Sequence, residues 1–120
     1  MAIRTGRREY QDYAIQIIQR LAQQPSPPVE ALVAWGVIQQ TEGDIEEAEA
    51  AYRRALQLRD DLVVAQNNLV MILARRGQNL SEAIKVAEAA IRTSPRNANF
   101  HDTLAFVQAK AGASNRPSPA

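Results

Sequence analysis

The stretch RRGQNLSEAIKVAEA, residues 75–89, decides how this chain is read. It closes one helical pattern at Gly77 and opens another two or three residues later. A helix–turn–helix with glycine in its turn occurs in DNA-reading domains, at enzyme hinges and in helical repeats. Recurrence separates these readings, because a repeat must carry the same break again at a fixed distance.

The break does recur. GDIEEA (43–48) corresponds to GQNLSEA (77–83) with one residue inserted. Gly43 and Gly77 suit the left-handed residue that closes a helix. Asp44 with Glu47, and Asn79 with Glu82, have the spacing of a capping box, which makes Gln78 the inserted residue. Small residues carry the period: Ala14, Ala48 and Ala83 lie 34 and 35 residues apart. Four positions after each stand Ile18, Tyr52 and Ala87, and seven after each Leu21, Ala55 and Ala90. Residues 25–28, PSPP, cannot continue a helix but can begin one, with Pro28 suited to a first turn. Arg59, Asp60 and Asp61 form a short acidic restart, Pro95 ends the following pattern, and Asn97 can cap the next.

A helix–turn–helix period of about 34 residues is the signature of the tetratricopeptide repeat, and the chain resembles that family over roughly residues 8–112. On the first helices, Leu32, Trp35-Gly36 and Gln39 fill the places of the large residue, the Leu-Gly element and the second large residue. Gln66, Leu69-Val70 and Leu73 fill them again, with departures at Gln66 and at the glycine. On the second helices Ala48 and Tyr52 match the Ala-x-x-x-Phe element, and Ala83 and Ala87 match half of it. Asp60 stands where a closing proline is expected, and Pro95 supplies that proline in the next unit. The resemblance implies an all-α fold: an α-solenoid of about six antiparallel helices in a right-handed superhelical helix–turn–helix stack. It divides the chain into a flexible start (1–6), a half unit (7–27), units at 28–59 and 60–95, a capping helix (97–111) and a disordered polar tail (112–120).

Composition agrees with thin, closely packed helices. Twenty-one alanines stand against 5% aromatic residues, and 120 residues suffice for one domain. Cysteine is absent, which excludes disulfides and thiolate zinc sites. Arginine outnumbers lysine 12 to 2, yet the net charge is only +1, too balanced to point to nucleic acid. A DNA-reading helix would gather basic and base-contacting residues on one face, whereas 80–94 sets Lys85 and Arg92 against Glu82 and Glu88. No apolar run reaches the 18 or so residues of a membrane helix, and MAIRTGRREY lacks the apolar core of a signal peptide. The default location is the cytoplasm.

Catalysis finds little support. His101 is the one histidine, and neither a phosphate loop nor a His-Glu-x-x-His zinc motif occurs. Glu42, Asp44, Glu46, Glu47 and Glu49 cluster at a helix start, where negative charge is stabilising without any cation, and Arg75-Arg76 mirror them at a helix end. Neither a metal nor a cofactor is expected.

The resemblance implies a binding module whose concave face is built mainly by the first helices. Carried onto this chain, that peptide-binding groove takes Val33, Ala34, Val37 and Gln40 from the first unit. It takes Asn67, Asn68, Met71 and Arg75 from the second, and Asp102, Thr103, Phe106 and Lys110 from the last helix. Asn68 can pair with both polar groups of a peptide backbone, and Phe106 and Met71 can anchor an apolar side chain. Family members that grip the acidic carboxyl termini of chaperones use a lysine and an asparagine on the first groove helix. Val33 and Val37 hold those places here, which argues against such a clamp.

The two ends carry a second expectation. On the last helix Phe100, Leu104 and Val107 form a stripe that packs backwards, while His101 and Gln108 face where a further helix would lie, so this helix reads as a cap. The leading helix spreads Tyr10, Tyr13, Ile15, Ile17, Ile18 and Leu21 over more than one face. That surface is either the scar of a longer array or an interface, with Tyr10, Tyr13 and Ile17 as candidates for self-association into a homodimer.

Overall fold

A computed structural model describes residues 2–77 and 79–115, with side chains described over 8–77 and 79–112. The described residues form six helices and no strand: α1 (Ala2–Ala22), α2 (Val29–Glu42), α3 (Ile45–Leu58), α4 (Val63–Arg76), α5 (Leu80–Thr93) and α6 (Ala98–Asn115). They fall into two compact units, Met1–Leu58 and Arg59–Ala120. In the first, α1 packs on α2 and α2 on α3. In the second, α4 packs on α5, α5 on α6, and α4 also on α6.

The turns follow from local chemistry. Gly43 has φ 91°, and its N–H reaches back to Gln39 and Gln40 carbonyls. The next N–H, of Asp44, bonds Gln39 O at 2.8 Å, so two residues satisfy the end of α2 and turn the chain into α3. Asp44 Oδ1 then accepts the Glu47 N–H at 3.2 Å, the first half of the expected capping box. Gly77, with φ 68°, closes α4 through bonds to Leu73 O and Ala74 O. Asn97 Oδ1 accepts the Asn99 N–H at 3.0 Å and caps α6.

Asn79 departs from its expected role. It precedes α5 but adopts the left-handed conformation itself, φ 54° and ψ 43°, and its side chain makes no capping bond. A cap needs extended backbone so that the side chain can fold over the first turn. The left-handed residue instead turns the chain, a conformation that asparagine tolerates better than most. Gln78 lies outside the described residues. The end helices also run longer than their expected bounds: α1 begins at Ala2 rather than 7, and α6 continues to Asn115 rather than 111. No proline interrupts either span. Residues 116–120 of the expected tail lie outside the described residues.

Small side chains let the helices approach. Ala48, Ala51 and Ala55 on α3 and Ala83, Ala87 and Ala90 on α5 are all buried. Leu32 and Tyr52 fill the first unit, and Leu69, Val70, Leu73, Phe100 and Val107 the second. A close fit joins α2 to α3. A Cβ built on Gly36 would stand 2.5 Å from Tyr52 Cε1, so the ring occupies space that only glycine leaves. Tyr52 Oη donates to Gln40 Oε1 at 2.8 Å beyond it. In the second unit the corresponding places carry Val70 and Ala87, both buried, with the bulk moved to the first helix. The departure from glycine at Val70 and the departure from an aromatic at Ala87 therefore offset each other in volume.

Gln66 is a buried polar residue at the place of Leu32. It is 2% exposed; its Nε2 donates to Asp60 O at 2.7 Å, and its Oε1 has no partner. On α6, Phe100 and Val107 are buried while His101 and Gln108 are exposed, as the stripe requires. Ala14, unlike Ala48 and Ala83, is exposed. Among the described residues no helix is long and apolar enough to cross a membrane.

Candidate peptide-binding face

The second unit presents the better-defined face. Residues four apart on a helix share one side. Asn67, Met71 and Arg75 therefore form one row on α4, and Asp102, Phe106 and Lys110 one row on α6. A polar bridge sets the rows side by side: Thr103 Oγ1 lies 3.2 Å from Asn67 Oδ1 and 2.7 Å from Asn99 O. A hydroxyl has one hydrogen. The shorter bond, to Asn99 O, takes it, and both contacts are satisfied at once when the Asn67 carboxamide is turned so that its NH2 donates to Thr103.

Beyond the bridge the floor becomes apolar and then cationic. Met71 is half-buried, and Phe106 is 41% exposed, high for a large aromatic side chain on a packed helix. Lys110 Nζ stands 5.7 Å from the centre of the Phe106 ring, within cation–π range, so the lysine covers part of the ring and leaves the rest open. Arg75 and Asp102 are exposed. Asn68 is half-buried and takes part in an interaction within the protein.

In the first unit, Val33 and Ala34 are half-buried and Val37 is 41% exposed on α2. Gln40 is turned toward α3, where it accepts the Tyr52 hydroxyl. The row of Val33 and Val37 continues instead through Thr41, whose hydroxyl donates to Val37 O at 2.9 Å. Thr41 lies one residue beyond Gln40, a rotation of about 100° around a helix. The 34-residue period likewise carries Arg75 back to position 41.

The acidic cluster at the start of α3 has local uses. Asp44 caps the helix, Glu47 Oε1 accepts the Trp35 indole N–H at 3.2 Å, and Glu49 pairs with Arg53 at 3.0 Å. No group of three potential ligands among the described residues is placed to hold a metal ion. His101 Nε2 lies 2.9 Å from Pro95 O and ties the first turn of α6 to the preceding loop.

The α2–α3 hairpin is also where the chain matches a known family. Residues 29–62 match the tetratricopeptide repeat, a span running from the first residue of α2 to Leu62 just ahead of α4. No curated protein matches the chain. The matched repeat together with six helices packed in succession within their units fits a tetratricopeptide-like array. Repeats of this kind generally mediate protein–protein interaction and are typically non-catalytic.

Proposed function

We propose that the chain is a non-catalytic interaction module whose α4–α6 face takes up an extended peptide or helix of another protein. The observation that carries this reading is Phe106, an aromatic ring left 41% exposed between a lysine and a polar bridge. An apolar anchor beside a few fixed hydrogen-bonding groups is the composition of a peptide site. Phe106 and Met71 anchor an apolar side chain of the ligand. The carboxamides of Asn67 and Asn68 meet its backbone, and Arg75 and Lys110 favour acidic residues toward one end. Val33 and Val37 give α2 an apolar row of its own.

A displayed library of random peptides, selected on the intact chain, supplies ligands for the test. Truncating a central aromatic anchor typically costs more than 1 kcal/mol, so Phe106→Ala should weaken the selected peptides about fivefold or more. Peptides that bind Phe106→Ala and Asn68→Ala as tightly as the parent would place the binding face elsewhere.

A further inference from the structure

The two end helices expose complementary halves of one hairpin. In the α2–α3 hairpin, α2 presents Trp35, Gly36 and Gln40, and α3 presents Glu47 and Tyr52, with Ala48 and Ala51 buried on the same helix. By the repeat period, Leu104, Ala105 and Ala109 on α6 hold the places of the α2 residues. On α1, Tyr13, Ala14, Ile17 and Ile18 hold those of Glu47, Ala48, Ala51 and Tyr52. In α3 the two alanines are 0% and 4% exposed; in α1 Ala14 is exposed and Ile17 is 40% exposed, with Tyr13 at 65% and Tyr10 at 79%. Ala105 and Ala109 are exposed on α6 as well.

We propose that copies of the chain associate head to tail, α6 of one copy pairing with α1 of the next to form a helical hairpin of which each exposes one half. The second copy is the occupant because it brings the right kind of helix in the right register. Equivalence, position by position, to the α2–α3 interface supports this, and so does charge. Tyr13–Ile18 of α1 and Leu104–Ala109 of α6 contain no Asp, Glu, Lys or Arg, and among the described side chains of α1 the charged residues Arg8, Glu9, Asp12 and Arg20 lie off that row. Pairing these two segments therefore desolvates no ion. Ala105 and Ala109 leave room for Ile18 much as Gly36 leaves room for Tyr52.

His101 and Gln108 give α6 a partly polar outer side, which suits a cap. Their places in the other units do not exclude packing, however. Gln66 is buried at the place of His101, and Gln39 is half-buried at that of Gln108. A contact between unlike surfaces is heterologous, so a first pairing leaves one free end of each kind, at which further copies add or which meet to close a ring.

The test uses two variants of exposed positions, Ile17→Glu on α1 and Ala105→Glu on α6, with helical circular dichroism to confirm that each folds. Light scattering on the parent should show a mass that rises with concentration above the 13.3 kDa of one copy. Each variant alone should remain a single copy. Their mixture should form a pair and stop there, because one variant keeps a sound α6 face and the other a sound α1 face. A parent that stays a single copy at every concentration overturns the proposal. So does an Ala105→Glu variant that associates as the parent does, which would mean that α1 pairs with α1.

Discussion

Gly36 and Tyr52 are fitted to each other: the ring lies where any side chain at position 36 would have to go, and its hydroxyl continues to Gln40. Two helices that turn through Gly43-Asp44 are thereby held at one close spacing. In the second unit Val70 and Ala87 hold the corresponding places, both buried, with large and small exchanged.

Gly36→Ala tests that fit. In an open helix the change would stabilise by about 1 kcal/mol through helix propensity. Here the added methyl meets an aromatic ring, and overpacking should turn the sign to a loss of about 1–3 kcal/mol. Urea unfolding of the two chains measures it, and a gain in midpoint would mean that the ring can move aside.

Gly112 and Gly43 should respond oppositely to the same substitution. Gly112 sits within α6 with nothing close to its would-be Cβ, so Gly112→Ala should stabilise by up to about 1 kcal/mol. Gly43 has φ 91°, where a side chain is strained, and Gly43→Ala should cost about 1–2 kcal/mol although its surroundings are equally open. Thermal melts that rise for one and fall for the other bear this out.

Gln66→Leu should raise stability. The buried Oε1 lacks a partner, and Leu32 shows that leucine fits the equivalent place in the first unit. Removing an unsatisfied buried polar group is worth about 1–3 kcal/mol, and losing the bond to Asp60 O costs about 1 kcal/mol in return. A modest net gain in unfolding midpoint is expected; a clear loss would show that the Gln66–Asp60 bond holds the start of α4.

Leu69→Ala and Ala48→Leu probe the two cores. Leu69 is 2% exposed and Ala48 0%, so the first should cost about 2–5 kcal/mol as a cavity. The second should cost about 1–3 kcal/mol as overpacking. Wild-type melting of both variants would contradict the packing described for α3 and α4.

The parts of the fold that sequence made legible are those set by local geometry or by strict period. Gly43 and Gly77 take the left-handed conformation because few other residues can, and Ala48 and Ala83 recur because close helices admit little else. Asn79 was misread because the same residue serves as a cap or as a left-handed turn, and its neighbours in the sequence do not choose between them. The direction of Gln40 is not legible from spacing, because a face is defined to within one residue, while the hydroxyl that Gln40 accepts arrives from Tyr52 on another helix. The Asn67–Thr103 bridge joins residues 36 apart, and no local pattern announces it. Exposure of Phe106 and Ala14 likewise depends on which helices pack together, which spacing alone leaves open.

The most direct test of the interaction module is to titrate the isotope-labelled chain with a peptide selected on it and follow each backbone amide by nuclear magnetic resonance. The account predicts shifts concentrated along Asn67–Arg75 of α4 and Asp102–Lys110 of α6, abolished by Phe106→Ala while the rest of the spectrum keeps its dispersion. Shifts confined to other helices, or unchanged by that substitution, would contradict it.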